Sequence, residues 1–460
     1  MNDPVSTRPA RARRPGAVLA MLLLAAGLPL GGCRRAAPAP AAAARTTMVG
    51  ALPFVEESYE QARDEARRRG VPLFIDAWAP WCHTCLSFKS FVLSDPSLAP
   101  QAARFVWLSV DTEKPQNAAF LQKFPVEFWP TLWVIDPRTE QAVQRWPGSL
   151  TLDELRELLD DGAEAVSGRT DGGEALTALL RAEREAAEGK DEAARASFEA
   201  AVQAAPAGWS RRARAVDGWV TALHRGGQHE RRLVGAALVL AGTSRANVAL
   251  YGLMCERAFG ERPAAQANRR REAIEAVEAV VRNDAAVLLA DDRSSLYEEA
   301  IEARRELGDA AGAQTLATEW LVFLERQAGS ASTPEARRVF DAHRMTAYLA
   351  RREFDKALAM LEQSEREQPG DYNHAARIAR VQLDAGRLPE ARAAIDRSLA
   401  LAYGPRRLRL FDLKARIAER AGDAAGARAI REEGVREGEA MQLKGKQAGS
   451  LQALKAKLAR

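Results

Sequence analysis

Two cysteines separated by two residues sit where a buried-strand pattern hands over to a helical one, and this junction constrains the chain more than any other feature. Residues 72–77 (Pro-Leu-Phe-Ile-Asp-Ala) form a short apolar run with one acid inside it, a pattern of the buried-strand type. Trp78-Ala79-Pro80-Trp81-Cys82-His83-Thr84-Cys85 follows, then a helical pattern through Leu93. Further strand-like runs at 105–110 and 131–135 enclose a helical stretch at 117–123. Ser58-Tyr59-Glu60-Gln61 and Thr151-Leu152-Asp153-Glu154 have the form of capping boxes, one opening a helix that runs to Gly70 and the other opening a last helix. Strands alternating with helices predict a layered α/β domain over 54–162.

Asp76, Trp78, Trp81, Cys82, Cys85, Asp111 and Pro130-Thr131 fall in the order and rough spacing of a thioredoxin domain. With Phe88-Lys89-x-Phe91 and Ser94-Asp95-Pro96 after the cysteines, the segment is similar to the C-terminal periplasmic domain of the transmembrane thiol reductases of Gram-negative bacteria. The resemblance implies a redox-active dithiol. At the first turn of a helix, Cys82 meets unpaired N–H groups and the positive dipole end, which favour thiolate over thiol. It is expected to be the exposed nucleophile, with Cys85, one turn later on the same face, as the buried resolving thiol. Asp76, on its buried strand, is expected to have a raised pKa and to take the proton of Cys85 through a water. The alternative is a hydrogen-bonded core aspartate with no catalytic part.

Pro130 resembles the cis-proline that faces the dithiol in this family, where the preceding residue, here Trp129, offers backbone hydrogen bonds to an extended substrate segment. Trp81 and Thr131 complete the expected substrate-binding surface. A lysine often stands four residues before the aspartate matched by Asp111, and Trp107 takes that place. Asp76 is therefore expected to be tuned by desolvation more than by a charge partner. His83 either tunes the couple, since an imidazolium favours the reduced form and makes the pair more oxidising, or is a solvent-exposed bystander.

No cofactor beyond the Cys82–Cys85 pair and no metal are expected. A zinc site needs four ligands at suitable spacing, and His224, His229, His343 and His374 are scattered over a helical region. Cys255, in an apolar helical stretch, is expected to be a buried, inert thiol. The fourth cysteine, Cys33, belongs to the leader.

Residues 1–32 read as a secretory signal, with an arginine-rich start, an uncharged apolar run over 17–30 and small residues after it. That run is too short to span a bilayer as a finished helix, which needs ~20 residues. Leu30-Gly31-Gly32-Cys33 looks like a bacterial lipobox, which implies lipid attached to Cys33 and a cell-envelope, periplasm-facing lipoprotein. Arg34 after the cysteine leans toward the outer membrane. Residues 33–53, rich in alanine and proline up to Ala44, read as a tether. The net charge of +4 is mostly in this leader, where Arg8, Arg11, Arg13 and Arg14 stand against Asp3. The rest is close to neutral, so no nucleic-acid footprint is expected. With 47% hydrophobic and 28% charged residues, neither wholesale disorder nor a collagen-like chain fits.

Over 163–445 the sequence is rich in Ala, Leu, Glu and Arg at helical period. Gly189, Ala194, Phe198, Ala201 and Pro206 have spacings repeated by Arg352, Ala357, Leu361, Ser364 and Pro369, and by Gly386, Ala391, Ile395 and Ser398. Ala427 continues the series, Gly308 and Ala313 echo it faintly, and the register is poor between 210 and 340. The repeats resemble tetratricopeptide repeats, implying a helical solenoid with a groove for a protein partner. The alternative is a solenoid that only packs on the first domain or mediates self-association. Residues 446–460 read as a basic, frayed helical tail. The expected fold is an α/β thioredoxin fold followed by an all-α, tetratricopeptide-like solenoid. The expected function is thiol-disulfide exchange with protein clients, by reduction or isomerisation, supplied by a membrane or periplasmic electron donor. A repeat-based assembly protein with a mainly structural thioredoxin domain is the alternative.

Overall fold

A computed structural model describes residues 44–168, 173–227, 263–286, 288–443 and 445–459. The signal, Cys33, the tether up to residue 43, His229 and Cys255 lie outside the described residues, as does the middle of the 210–340 segment. Among the described residues, no helix is long and apolar enough to cross a membrane.

Six strands form one sheet: β1 (Thr46–Val49), β2 (Leu52–Glu56), β3 (Leu73–Trp78), β4 (Val106–Asp111), β5 (Thr131–Asp136) and β6 (Gln141–Pro147), in the order β1-β2-β4-β3-β5-β6. β3 pairs parallel with β4 and antiparallel with β5, which places it inside the sheet. Its side chains alternate between faces, as strand geometry requires. Phe74 joins Phe54, Phe88, Trp107 and Leu155 in one apolar layer. Leu73, Ile75 and Ala77 join Tyr59, Ala62 and Trp133 in the other. Asp76 shares the Phe74 face, and this parity decides its surroundings.

The helices of this part are α1 (Tyr59–Arg69), α2 (His83–Phe88, continued by a π-helical stretch Lys89–Leu93), α3 (Ala118–Lys123) and α4 (Leu152–Ser167). α4 opens with the expected box: Thr151 accepts the Glu154 N–H, and Glu154 reaches back to the Thr151 N–H. At α1 the box does not form. Ser58 makes no side-chain cap, and Gln61 Oε1 instead accepts the N–H of Ala44 at 2.6 Å. That bond ties down the start of a domain that begins earlier than residue 54. β1 and the first two residues of β2 occupy positions read from the sequence as tether, with Thr46 paired to Val55.

Beyond α4 the described chain is helical: α5 (Gly173–Ala187), α6 (Asp191–Ala204), α7 (Arg212–Arg225), α8 (Pro263–Arg282), α9 (Ala290–Glu306), α10 (Ala310–Ser330), α11 (Pro334–Arg338), α12 (Asp341–Ala350), α13 (Phe354–Glu367), α14 (Tyr372–Asp384), α15 (Leu388–Leu401), α16 (Arg406–Arg420), α17 (Ala424–Ala440) and α18 (Gly449–Leu458). Five consecutive pairs, α5/α6, α9/α10, α12/α13, α14/α15 and α16/α17, turn on a residue of positive φ two places before the second helix. These residues are Gly189, Gly308, Arg352, Gly386 and Gly422. Five residues after each stands a buried alanine, Ala194, Ala313, Ala357, Ala391 or Ala427, whose small side chain lets the paired helices approach. The faint repeat at Gly308 is thus a full hairpin. The tail is not frayed, because α18 buries Leu454.

Candidate functional site

Cys82 stands at the N-cap of α2, joined to Cys85 in a disulfide with Cα atoms 5.2 Å apart. Its Sγ accepts the Cys85 N–H at 3.0 Å, so on reduction the sulfur lies against a helix N-terminus that stabilises negative charge. The pair packs with Ala79, Trp78, Trp81 and Trp129, and the Trp129–Pro130 peptide is cis. The indole N–H groups are all engaged: Trp78 donates to Ser109 Oγ at 2.9 Å, Trp81 to Glu113 Oε1 at 2.8 Å and Trp129 to Thr112 Oγ1 at 2.8 Å. Thr131, expected among the substrate contacts, is fully buried and donates its hydroxyl to the Phe128 carbonyl at 2.7 Å. It is a β5 core residue, because its partner in the sheet is Ala77.

Asp76 is 1% exposed, and neither of its carboxylate oxygens has a hydrogen-bond partner among the described residues. Burial pushes its pKa up to about 6, against the opposing charge of Lys89. Desolvation dominates as expected, but the charge partner thought to be missing is present. Lys89 lies four residues beyond Cys85, one helical turn along the same face. Its ammonium sits 3.5 Å from the Trp78 ring centroid and 3.3 Å from Ser109 Oγ. Burial lowers the Lys89 pKa, while Asp76 and Glu56 oppose the shift. The lysine therefore reaches the buried acid from α2 instead of from β4, where Trp107 stands. Its position after Cys85 was the available signal.

The described helices and the sheet belong to one compact unit, and the helices cover the dithiol. Asn373 donates to the Pro80 carbonyl at 3.1 Å, the Arg406 N–H to Glu113 Oε2 at 2.6 Å, the Tyr403 hydroxyl to Asp111 Oδ2 at 2.5 Å and Gln447 to the Thr112 carbonyl at 3.0 Å. The Arg406 guanidinium lies 5.1 Å from the Trp81 ring centroid, and Leu86 joins the apolar core of α8 to α10. Cys82, expected to be exposed, is consequently only 5% exposed, and Cys85 is 1% exposed. The cover explains the difference, since Trp81, which packs on the dithiol, the neighbouring Pro80 carbonyl and Asp111 at the end of β4 are all used to hold it.

His83 is only a third exposed and is engaged by the helical cover. Its Nδ1 lies 2.8 Å from Asp291 Oδ1 on α9, and the same oxygen is 3.1 Å from His343 Nε2 on α12. The two imidazole centroids are 4.4 Å apart with their planes at 63°. Glu298 stands 3.6 Å from the other ring nitrogen of His343. Burial alone would raise the Asp291 pKa, but His83 and His343 hold it well below the usual carboxylate range. Burial would lower that of His343, yet Asp291 and Glu298 bring it up to about 9. Neither Asp291 nor His343 was picked out as a site residue from the sequence. They come together only through α9 and α12 folding back on α2.

Residues 59–163 match the family model described as a thioredoxin-like domain. Over 82 residues, 17% of this chain, the sequence is 29% identical to the thiol:disulfide interchange protein DsbD of Klebsiella pneumoniae and covers 14% of that protein. It is 27% identical over 143 residues to the chloroplastic thioredoxin-like protein CITRX of Oryza sativa subsp. japonica, covering 29% of this chain and 74% of the relative. It is 28% identical over 93 residues to protein disulfide-isomerase 1 of Dictyostelium discoideum, covering 20% of this chain and 25% of the relative. A solved tetratricopeptide repeat protein from Parabacteroides merdae aligns along its whole length with 62% of this chain, at 13% identity and a TM-score of 0.40. Residues 59–163 are a thioredoxin-like domain with a Cys82–Cys85 pair, and helical hairpins of recurring turn geometry follow it.

Proposed function

We propose that this chain is a periplasm-facing lipoprotein, tethered through Cys33, preferably to the outer membrane, that exchanges thiols and disulfides with protein clients in the reducing or isomerising direction. The observation that carries the thiol-disulfide part of this reading is the Cys82 sulfur at the N-terminus of α2, joined to Cys85 and packed against Trp129, with Asp76 on β3; the anchor and its location rest on the leader sequence alone. In the reduced chain the Cys82 thiolate attacks a client disulfide, forming a mixed disulfide and releasing one client thiolate. Asp76, with its raised pKa, accepts the proton of Cys85. The Cys85 thiolate then attacks the Cys82 sulfur, so the second client thiolate leaves and the Cys82–Cys85 disulfide forms. Two electrons have passed to the client, and a dithiol donor must return them.

A second reading, a repeat-based assembly protein in which the thioredoxin-like domain is mainly structural, is favoured by the burial of Cys82 beneath the helices. Equilibration of the purified chain in defined thiol buffers separates the two. A reversible two-electron transition near −270 mV, together with client capture by Cys85→Ala, supports a reductase, and a value near −120 mV marks an oxidant. If no reversible transition appears, the assembly reading stands.

A further inference from the structure

Where the cover meets α2, three donor atoms from distant parts of the chain converge: Nδ1 of His83, Nε2 of His343 and a carboxylate oxygen of Asp291, all within 4.8 Å of one another. Among the described residues this is the one such grouping of histidine, cysteine or carboxylate donors. We propose that it is a binding site for a divalent transition-metal ion of the zinc class, seated at the seam between the thioredoxin-like domain and the helical hairpins.

Four features fit. Two imidazoles and one carboxylate are the borderline donor set that Zn²⁺ and its neighbours favour, with a coordination position left for water or another ligand. His83 Nδ1 and His343 Nε2 lie 2.8 and 3.1 Å from the same Asp291 oxygen, so both nitrogens face a common place. Glu298, 3.6 Å from His343 Nδ1, is placed as the outer carboxylate that typically orients a metal-bound histidine. A route in also exists: His83 is a third exposed. On the far side, an open cleft of about 390 Å³ is lined by Glu298, Glu299, Glu302 and Trp320, and the first and last of these touch His343. Arg305 also lines this cleft and pairs with Glu302, which leaves Glu298 and Glu299 as the carboxylates nearer the triad. Because His83 belongs to α2 and the other two donors to α9 and α12, an ion here would fasten the cover over the dithiol.

The inference does not depend on the redox reading, and its test keeps them apart. Zn²⁺ is titrated by calorimetry into the full chain with Cys82–Cys85 held as the disulfide and other free thiols alkylated, so no thiolate competes. The expected result is one Zn²⁺ per chain with a dissociation constant of about 1 μM or lower. His83→Gln and His343→Gln should each weaken binding by about tenfold or more, with Glu298→Gln in the same direction. Co²⁺ in place of Zn²⁺ should give a visible absorption band that His83→Gln removes. If His343→Gln fails to fold, the partly exposed His83 variant keeps the test decisive. No uptake at about 100 μM Zn²⁺, or uptake unchanged in His83→Gln, overturns the proposal and leaves a hydrogen-bonded triad only.

Discussion

Asp76 makes the clearest residue-scale prediction. Its pKa is near 6 in the folded chain and about 3.9 in an unfolded one, so ionising it at neutral pH works against folding. That penalty is fully present above pH 6 and disappears as the pH falls below 4. Asp76→Asn should therefore be the more stable chain at pH 7, by on the order of 2 kcal/mol. The difference should vanish at pH 4, as denaturant unfolding at both values would show. Cys82, Cys85 and Asp76 were legible because local spacing sets their positions around one strand-to-helix junction, whereas Pro130 was read only through the family resemblance and is brought near by the pairing of β5 with β3. Lys89 was visible as a motif residue one helical turn after Cys85, but its place over Trp78 requires the packing of α2 on the sheet, which local spacing does not give. Asp291 was out of reach, because it meets His83 across 208 residues.

At the scale of elements, the hairpin turns carry the most readable signal, since a left-handed residue must recur wherever two helices reverse. Gly386 has φ +77° and no atom within 4 Å of where a Cβ would stand. Gly386→Ala should therefore cost only the backbone term, about 1 kcal/mol, measurable as a lowered denaturation midpoint with an unchanged slope. Arg352 holds the same turn position at φ +60°, which shows that the fold tolerates this strain once. The strands were read less evenly. β3, β4 and β5 are apolar runs buried along their length and stand out in any window. β1 is four residues long and half exposed, and β6 (Gln-Ala-Val-Gln-Arg-Trp-Pro) mixes polar and apolar residues with no period of two at the sheet edge, so neither separates from loop by composition. The two capping-box patterns were equally good in sequence. Only Thr151 forms one, because at α1 Gln61 is drawn away to the Ala44 N–H.

Across the whole molecule, two of the features that hold the helices to the thioredoxin-like domain lend themselves to test. The first is a buried ion network in which Arg214 bonds Asp161 of α4 at 2.7 Å and Glu183 of α5 at 2.6 and 2.7 Å. Removing one partner leaves uncompensated buried charge, so Arg214→Ala should cost about 3–5 kcal/mol, read by chemical denaturation. The second is the α15–α16 turn, where a Cβ on Gly404 would stand 2.0 Å from the Glu113 carbonyl oxygen. Gly404→Ala should lift Tyr403 and Arg406 away and speed alkylation of the reduced Cys82 by about tenfold or more. An unchanged rate would mean that this turn does not limit access. The covering contacts span 208, 292 and 335 residues of sequence, the slow, non-local kind of contact that closes late in folding. A chain made from its N-terminus has its first domain complete by α4, long before Gln447 exists. The newborn dithiol is thus open to its surroundings for as long as the remaining helices take to be made, and it meets its own cover last.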